Sequence, residues 1–340
     1  MFDLTANLHC LQFEAGLTEE EKKIIYLRSR SAALTECSCA HALFYCKLAH
    51  CFRTNILMLN DFSSDAGAPH QLTVGIIGGG HLGKQLARLI VESSGIKPPN
   101  IKVSSRRPET LEDLSVVGIE CFYDNQRLAS WADVLFLCCL PSHLLQVCAD
   151  IRAHLSHCCV VYSFISTVPV KRLAQLLGHT SILRPAYEFV SSDAGWACPP
   201  EHSMMAALKN VELIAASCPL SMSRGVCIGA EWLPAVLYSL LNMCCSVLPL
   251  EGALELLNQL LRLQSDSALS VHHLISHSCA SSQSPLRPLL WISLADVQSR
   301  DTPLSWHLSR SPALRERLST LYFTTLTPGG SKDQDIGCQS

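Results

Sequence analysis

The sequence predicts an α/β protein: a doubly wound parallel sheet of Rossmann type, a second and mainly helical domain, and an N-terminal helical arm. Two observations carry the central part. The stretch TVGIIGGGHLGKQLARLI, Thr73 to Ile90, runs from an apolar strand pattern through a glycine triplet directly into a helical pattern. Short apolar runs then alternate with helical patterns as far as Arg184, the signature of a parallel sheet with crossover helices. Beyond Arg184 long helical patterns take over, which predicts the second domain.

Residues 1–70 read as the arm and its linker. Leu17 to Phe52 has helical composition, with Thr18 placed as a cap before Glu19, Glu20 and Glu21 in the first turn. Asn60 to His70 carries the Asn, Asp, Ser, Gly and Pro punctuation of a linker. Within the arm, Cys37 and His41, then Cys46 and His50, are spaced i, i+4. Each pair shares a helix face, but at 100° per residue the two pairs fall on opposite sides. No four-ligand set results, so no metal site is expected.

Residues 71–184 form the predicted nucleotide-binding domain. Strands are expected at Leu72 to Ile77, Ile101 to Val103, Ile119 to Phe122, Val134 to Cys139 and Cys159 to Phe164. Helices are expected at Leu82 to Glu92, Leu144 to His154 and Val170 to Leu177. The glycines therefore sit at a strand-to-helix junction. Gly78 suits the tight turn, Gly80 lets backbone approach a pyrophosphate, and Gly83 allows the helix to pack closely on the strand. The helix N-terminus then points free N–H groups at the anion. A second strand about twenty residues later completes a βαβ dinucleotide-binding unit.

That second strand ends in VSSRRPE, Val103 to Glu109. An NAD site ordinarily offers a carboxylate there to the ribose hydroxyls. Here Ser104, Ser105, Arg106 and Arg107 stand in its place, and hydroxyl and guanidinium groups suit a ribose 2′-phosphate. The expected cofactor is NADP.

The run VGIIGGGHLGKQLA, followed by SSRRPE, WADVLFLCCLP, VVYSF and ILRP, resembles the pyrroline-5-carboxylate reductase family from about Leu72 to Arg184. The resemblance implies a Rossmann domain followed by a helical, dimer-forming domain, with NADPH reducing a cyclic imine. It places Gly78, Gly80, His81, Leu82 and Gly83 in the phosphate loop and Ser105 and Arg106, with the neighbouring Arg107, at the 2′-phosphate. Leu137 to Pro141, including Cys139 and Leu140, matches the strand end near the nicotinamide. The chain departs from the family's pattern in the phosphate loop and, more often, where the chemistry lies. His81 replaces an asparagine, Leu140 replaces the lysine before Pro141, and Arg184 to Glu188 reads RPAYE where the family has Arg-x-Met-Pro-Asn. The substrate loop is missing from its context, and TPGGS at Thr327 to Ser331 lies too near the C-terminus to replace it.

Residues 185–326 are expected to form the helical substrate or dimerisation domain. PAYEFVSSDAGWACPPEHS reads as loop; Glu231 to Leu248 and Leu250 to Leu263 read as helices. Trp232 to Leu250 carries no charge, but Pro234, Asn242 and Pro249 interrupt it, so it reads as a buried helix rather than a membrane span. Ser276 to Pro288 and the tail 327–340 read as loose segments. A net charge of −3 offers no general footprint for nucleic acid or an anionic membrane. Eighteen cysteines without an apolar leader suit a reduced, cytoplasmic protein.

Two functions follow. One is hydride transfer between NADPH and a small imine or carbonyl compound, with Tyr187 considered as proton donor. The other is a non-catalytic NADP-binding regulatory or interaction protein. The substrate is not legible.

Overall fold

The structure, a computed structural model, describes residues 17–60, 71–189, 204–222, 226–264, 267–274 and 291–327. The linker at 61–70, most of the loop at 190–203, the Ser/Pro-rich stretch within 275–290 and the tail from 328 onward lie outside the described residues.

Six parallel strands form the sheet: β1 (Val74–Ile77), β2 (Ile101–Ser104), β3 (Glu120–Phe122), β4 (Val134–Leu137), β5 (Val160–Ser163) and β6 (Ile182–Leu183). Their order is β3-β2-β1-β4-β5-β6, so the chain reverses direction across the sheet between β1 and β4. Val74 pairs with Val134 and Ile77 with Leu137, which brings the C-terminal ends of these two strands level. In open sheets of this kind a ligand crevice opens outside the strand ends at that reversal.

Strand residues are apolar on both faces, as burial between two layers requires. Ile77, Leu135, Leu137 and Val161 pack with α4 (Asn125–Trp131), α5 (Leu144–Ile151) and α6 (Val170–Leu177). Val74, Ile76, Phe136 and Tyr162 face the other side, against α1 (Glu19–Asn60), α2 (His81–Ser93) and α9 (Trp232–Cys245). Completing the molecule are α3 (Glu112–Val116), β7 (Tyr187–Phe189), α7 (Met204–Ala207), α8 (Val211–Ser217), β8 (Val226–Ile228), α10 (Leu250–Leu260), α11 (Val271–Leu274), α12 (Leu294–Val297), α13 (Pro303–Arg310) and α14 (Pro312–Leu326).

The N-terminal helix is present, and its central part lies inside the molecule rather than beside it. Every residue from Glu36 to Cys46 is buried, which requires neighbours all round the helix. The Arg53 guanidinium meets Asp133 at 3.2 Å, and Asp133 in turn accepts from the Thr73 amide and hydroxyl, both at 2.9 Å. Lys47 donates to the Thr325 carbonyl at 2.7 Å. These contacts fix α1 to the N-terminal ends of β1 and β4 and to α14. Sheet, α1 and the C-terminal helices share one apolar core.

The loop expected after Arg184 begins instead with a strand. Tyr187, Glu188 and Phe189 pair antiparallel with Ile228, Cys227 and Val226. Three residues paired with a distant partner leave no local periodicity to read. In α9 the Asn242 amide group is buried and bonded at both its nitrogen and its oxygen: it donates to the Ile292 carbonyl at 2.7 Å and accepts from the Ile292 amide at 2.9 Å. Among the described residues no helix is long and apolar enough to cross a membrane.

Candidate cofactor site

The glycine junction has the geometry its sequence predicts. Gly78 leaves β1 with φ +109°, a conformation L-side chains rarely adopt, and a Cβ there would lie 2.8 Å from the Cys138 backbone. A Cβ on Gly83 would come within 1.9 Å of the Gly78 carbonyl oxygen. The first turn of α2 therefore lies directly on the loop. Gly80 is different: a Cβ there would meet nothing within 4 Å. It caps α2 in extended conformation, without a side-chain cap, so the helix N-terminus faces open space.

Three expected clusters converge on this rim. The Gly78 amide donates to the Ser104 carbonyl and the Cys138 amide to the Ile77 carbonyl, both at 2.9 Å. A Cβ on Gly79 would touch Ser105 at 2.8 Å, so the turn after β2 stands beside the glycines. Arg106 and Arg107 are exposed there; the Arg107 amide donates to Ser105 Oγ at 3.3 Å, and the Arg107 carbonyl accepts from Thr110 Oγ1 at 2.8 Å. Beyond β4, Cys139 is half-buried, while Leu140, 63% exposed, and Pro141 lie on the rim.

His81 is exposed, with Nε2 3.0 Å from Gln85 Nε2 one turn along α2. Leu82 is half-buried and packs against the core. Burial, followed by the neighbouring Cys39 and Cys139 thiols, pushes Cys138 well above the ordinary thiol range. Burial also raises Cys139. Both stay protonated at neutral pH, so neither acts as a thiolate nucleophile.

The structure adds Lys84, which sequence reasoning passed over. Its ammonium donates to the Thr110 carbonyl and lies 3.5 Å from Asp113 Oδ1, tying α2 to the turn after β2. Arg88 also bonds Asp113. A lysine in the first helical turn after the glycines was the available signal. Beneath the same turn, Ser104 Oγ donates to Asn125 Oδ1 at 2.8 Å, and Asn125 Nδ2 donates to Asp150 at 3.1 Å.

Tyr187 lies elsewhere. Its hydroxyl is 2.8 Å from Nδ1 of the fully buried His41, whose Nε2 is 2.8 Å from the Ser217 carbonyl oxygen. A carbonyl only accepts, so Nε2 carries the proton and Nδ1 is the acceptor. The Tyr187 hydroxyl therefore donates to His41 within the core, and its proton is committed there. Burial pushes the His41 imidazole down to about 4, against the smaller opposing effect of the Ser217 bond.

Residues 73–164 match the family described as NADP oxidoreductase coenzyme F420-dependent. The mouse NADP-dependent oxidoreductase domain-containing protein 1 is 38% identical over 343 aligned residues, covering 94% of this chain and 92% of that protein. The chain belongs to the family of NADP-dependent oxidoreductase domain-containing protein 1. Pyrroline-5-carboxylate reductase from Corynebacterium melassecola is 34% identical over 86 residues, 25% of this chain and 32% of that one. A solved pyrroline-5-carboxylate reductase from Coxiella burnetii aligns with 75% of this chain and 96% of its own at 16% identity and a TM-score of 0.32. NADP-dependent oxidoreductase domain-containing protein 1 and this chain thus share a nicotinamide-dinucleotide oxidoreductase domain related to pyrroline-5-carboxylate reductase.

Proposed function

We propose that the protein binds NADPH at the glycine rim and reduces a small imine or carbonyl compound. The observation carrying the binding half is the contrast among the glycines: Gly78 and Gly83 are filled by protein, whereas the space over Gly80 is open at a helix N-terminus. A pyrophosphate fits that arrangement of free N–H groups. Ser105 and Arg106 would hold the ribose 2′-phosphate, with Arg107 beside them; guanidinium groups bind phosphate through charge-assisted hydrogen bonds. Lys84 would brace the turn that presents them. Cys139, Leu140 and Pro141 would provide the surface beneath the nicotinamide half, which accounts for a large apolar side chain left exposed at Leu140.

When bound, the cofactor supplies the hydride; the protein supplies position and electrostatics. Tyr187 is not assigned as the proton donor, because its hydroxyl serves His41. Leu140 in place of a lysine and the RPAYE departure argue against efficient pyrroline-5-carboxylate reduction. The direct test is NADPH oxidation by the purified protein against a panel of imines and carbonyl compounds, with pyrroline-5-carboxylate included. Turnover of one panel member above the protein-free rate is expected, with pyrroline-5-carboxylate a poor substrate. Tight NADPH binding without turnover of any member would favour the non-catalytic reading.

A further inference from the structure

We propose that His273 and His307 form an acid-sensitive latch between α11 and α13, closed while both imidazoles are neutral and released when they take up protons. The two rings stack face to face, with centroids 3.7 Å apart and planes within 6° of parallel. The latch is independent of the cofactor reading.

Each ring has a nitrogen that is closed to a further proton. α11 is a single turn, and His273 caps it: Nδ1 accepts from the Ser270 amide at 3.2 Å, while the His273 amide donates to the Ser270 carbonyl at 3.0 Å. This is the backward bond of a capping box, with an imidazole where Glu or Gln is usual. An accepting nitrogen carries no proton, so the His273 proton sits on Nε2. A second proton on Nδ1 would break the bond to the amide and leave the Ser270 hydroxyl, 3.2 Å away, as its acceptor. In His307, Nε2 is buried without a hydrogen-bond partner. The neutral ring does best with its proton on Nδ1; a second proton would put an unpaired N–H and a positive charge at the buried nitrogen. Two protonated rings stacked this closely would also repel.

The surroundings supply no counter-charge. Among the described residues no carboxylate forms an ion pair with either ring. α9, packed against α13, carries no charged side chain. On α13 Arg310 lies over the Trp306 ring, and Asp301 ahead of it is exposed. His272, beside the pair on α11, is exposed as well. α14 carries Arg315 and Glu316, both exposed, and Arg317, which donates to the Arg262 carbonyl. Glu251 and Glu255 of α10 are exposed. Burial, and then the charge of His273, hold the His307 imidazole below its ordinary value of 6.5. The closed stack therefore favours the neutral ring, and its contribution, fully present above about pH 6.5, is lost as the pH falls. Release leaves the turn tethered: Asn258 bonds the carbonyl and the amide of Leu269, both at 2.8 Å, and the Tyr238 hydroxyl donates to the Leu274 carbonyl at 2.9 Å. These bonds do not depend on the imidazoles, so the latch can close again when the pH returns.

Hydrogen exchange of the full chain, followed by mass spectrometry at pH 7.5 and pH 5.5 and corrected for intrinsic rates, tests the latch. Segment 267–274 should lose protection at the lower pH while β1 and β4 keep theirs. His273→Gln supplies a capping acceptor that takes no proton, and His307→Phe keeps a ring to stack. Each should reduce the loss, and the double variant should abolish it. Histidine NMR of the wild type should show His307 titrating below 6.5 in step with that loss. Equal protection of 267–274 at both pH values overturns the proposal. So does a loss shared equally by β1 and β4, which would belong to general unfolding, or a loss undiminished in the double variant. Where the substitutions themselves remove protection at both pH values, the wild-type titration decides: His307 protonated while 267–274 stays protected contradicts the latch.

Discussion

The glycine rim and the pocket around His41 both gather polar groups where the sheet meets helices, yet they treat those groups differently. At the rim, the helix N-terminus at Gly80 and the side chains of Arg106 and Arg107 face outward. Around His41 the polar groups serve one another: Tyr187 donates to the imidazole, the imidazole donates to Ser217, and Ser217 Oγ lies 2.9 Å from the Tyr322 hydroxyl. The first arrangement leaves capacity for a ligand; the second holds α1, α8, β7 and α14 together. Burial and hydrogen-bond accounting therefore separate groups left available to a ligand from groups committed to the architecture.

The most severe test of the rim is Gly83→Ala. Its Cβ would lie 1.9 Å from a backbone oxygen, so the loop or α2 must move. Overpacking of this kind costs about 1–3 kcal/mol and sometimes more. Differential scanning calorimetry should show a clear loss of Tm, accompanied by loss of cofactor binding. Unchanged Tm with normal binding would refute the close packing described here.

The His41 pocket should respond to acid. Its folded-state pKa, about 4, lies below the ordinary value of 6.5, so folding favours the neutral ring. That contribution is fully present above about pH 6.5 and is lost as pH falls toward 4. At full extent it corresponds to roughly 3 kcal/mol. Urea unfolding at pH 7 and at pH 4.5 should show this loss, and the pH dependence should flatten in His41→Phe. An equally steep dependence in the variant would place the effect in other groups.

How far each region could be read in advance follows the same division. The glycine junction was legible because strand, turn and helix are adjacent in the chain, and Gly78 and Gly83 each answer a local steric demand, whereas no protein atom requires a glycine at Gly80. Ser105 to Arg107 were legible because they occupy the end of the next strand. The burial of α1 was not, since Cys37 to Phe52 reads as a helix wherever it packs; its neighbours α8, α9 and α14 come from the far end of the chain. The β7–β8 pairing was hidden for the same reason, as was the partnership of Tyr187 with His41. Lys84 was overlooked because its partner, the Thr110 carbonyl, is brought near by tertiary structure.

A milder variant sharpens the distinction within the rim itself. Gly80→Ala adds a methyl group into open space, so Tm should change little, while NADPH affinity should fall as the backbone can no longer approach the pyrophosphate. Fluorescence titration beside thermal melting checks both halves. A large drop in Tm, or affinity unchanged, would mean that the space over Gly80 is not the cofactor's.

The central claim, that this rim selects NADPH, is tested most directly by isothermal titration of the wild type and Arg106→Ala with NADPH and NADH. Wild type should bind NADPH more tightly. Loss of one charge-assisted phosphate contact should weaken NADPH by about tenfold to a hundredfold while leaving NADH nearly unchanged. Equal wild-type affinities, no binding of either cofactor, or a parallel loss of both in Arg106→Ala would contradict the account.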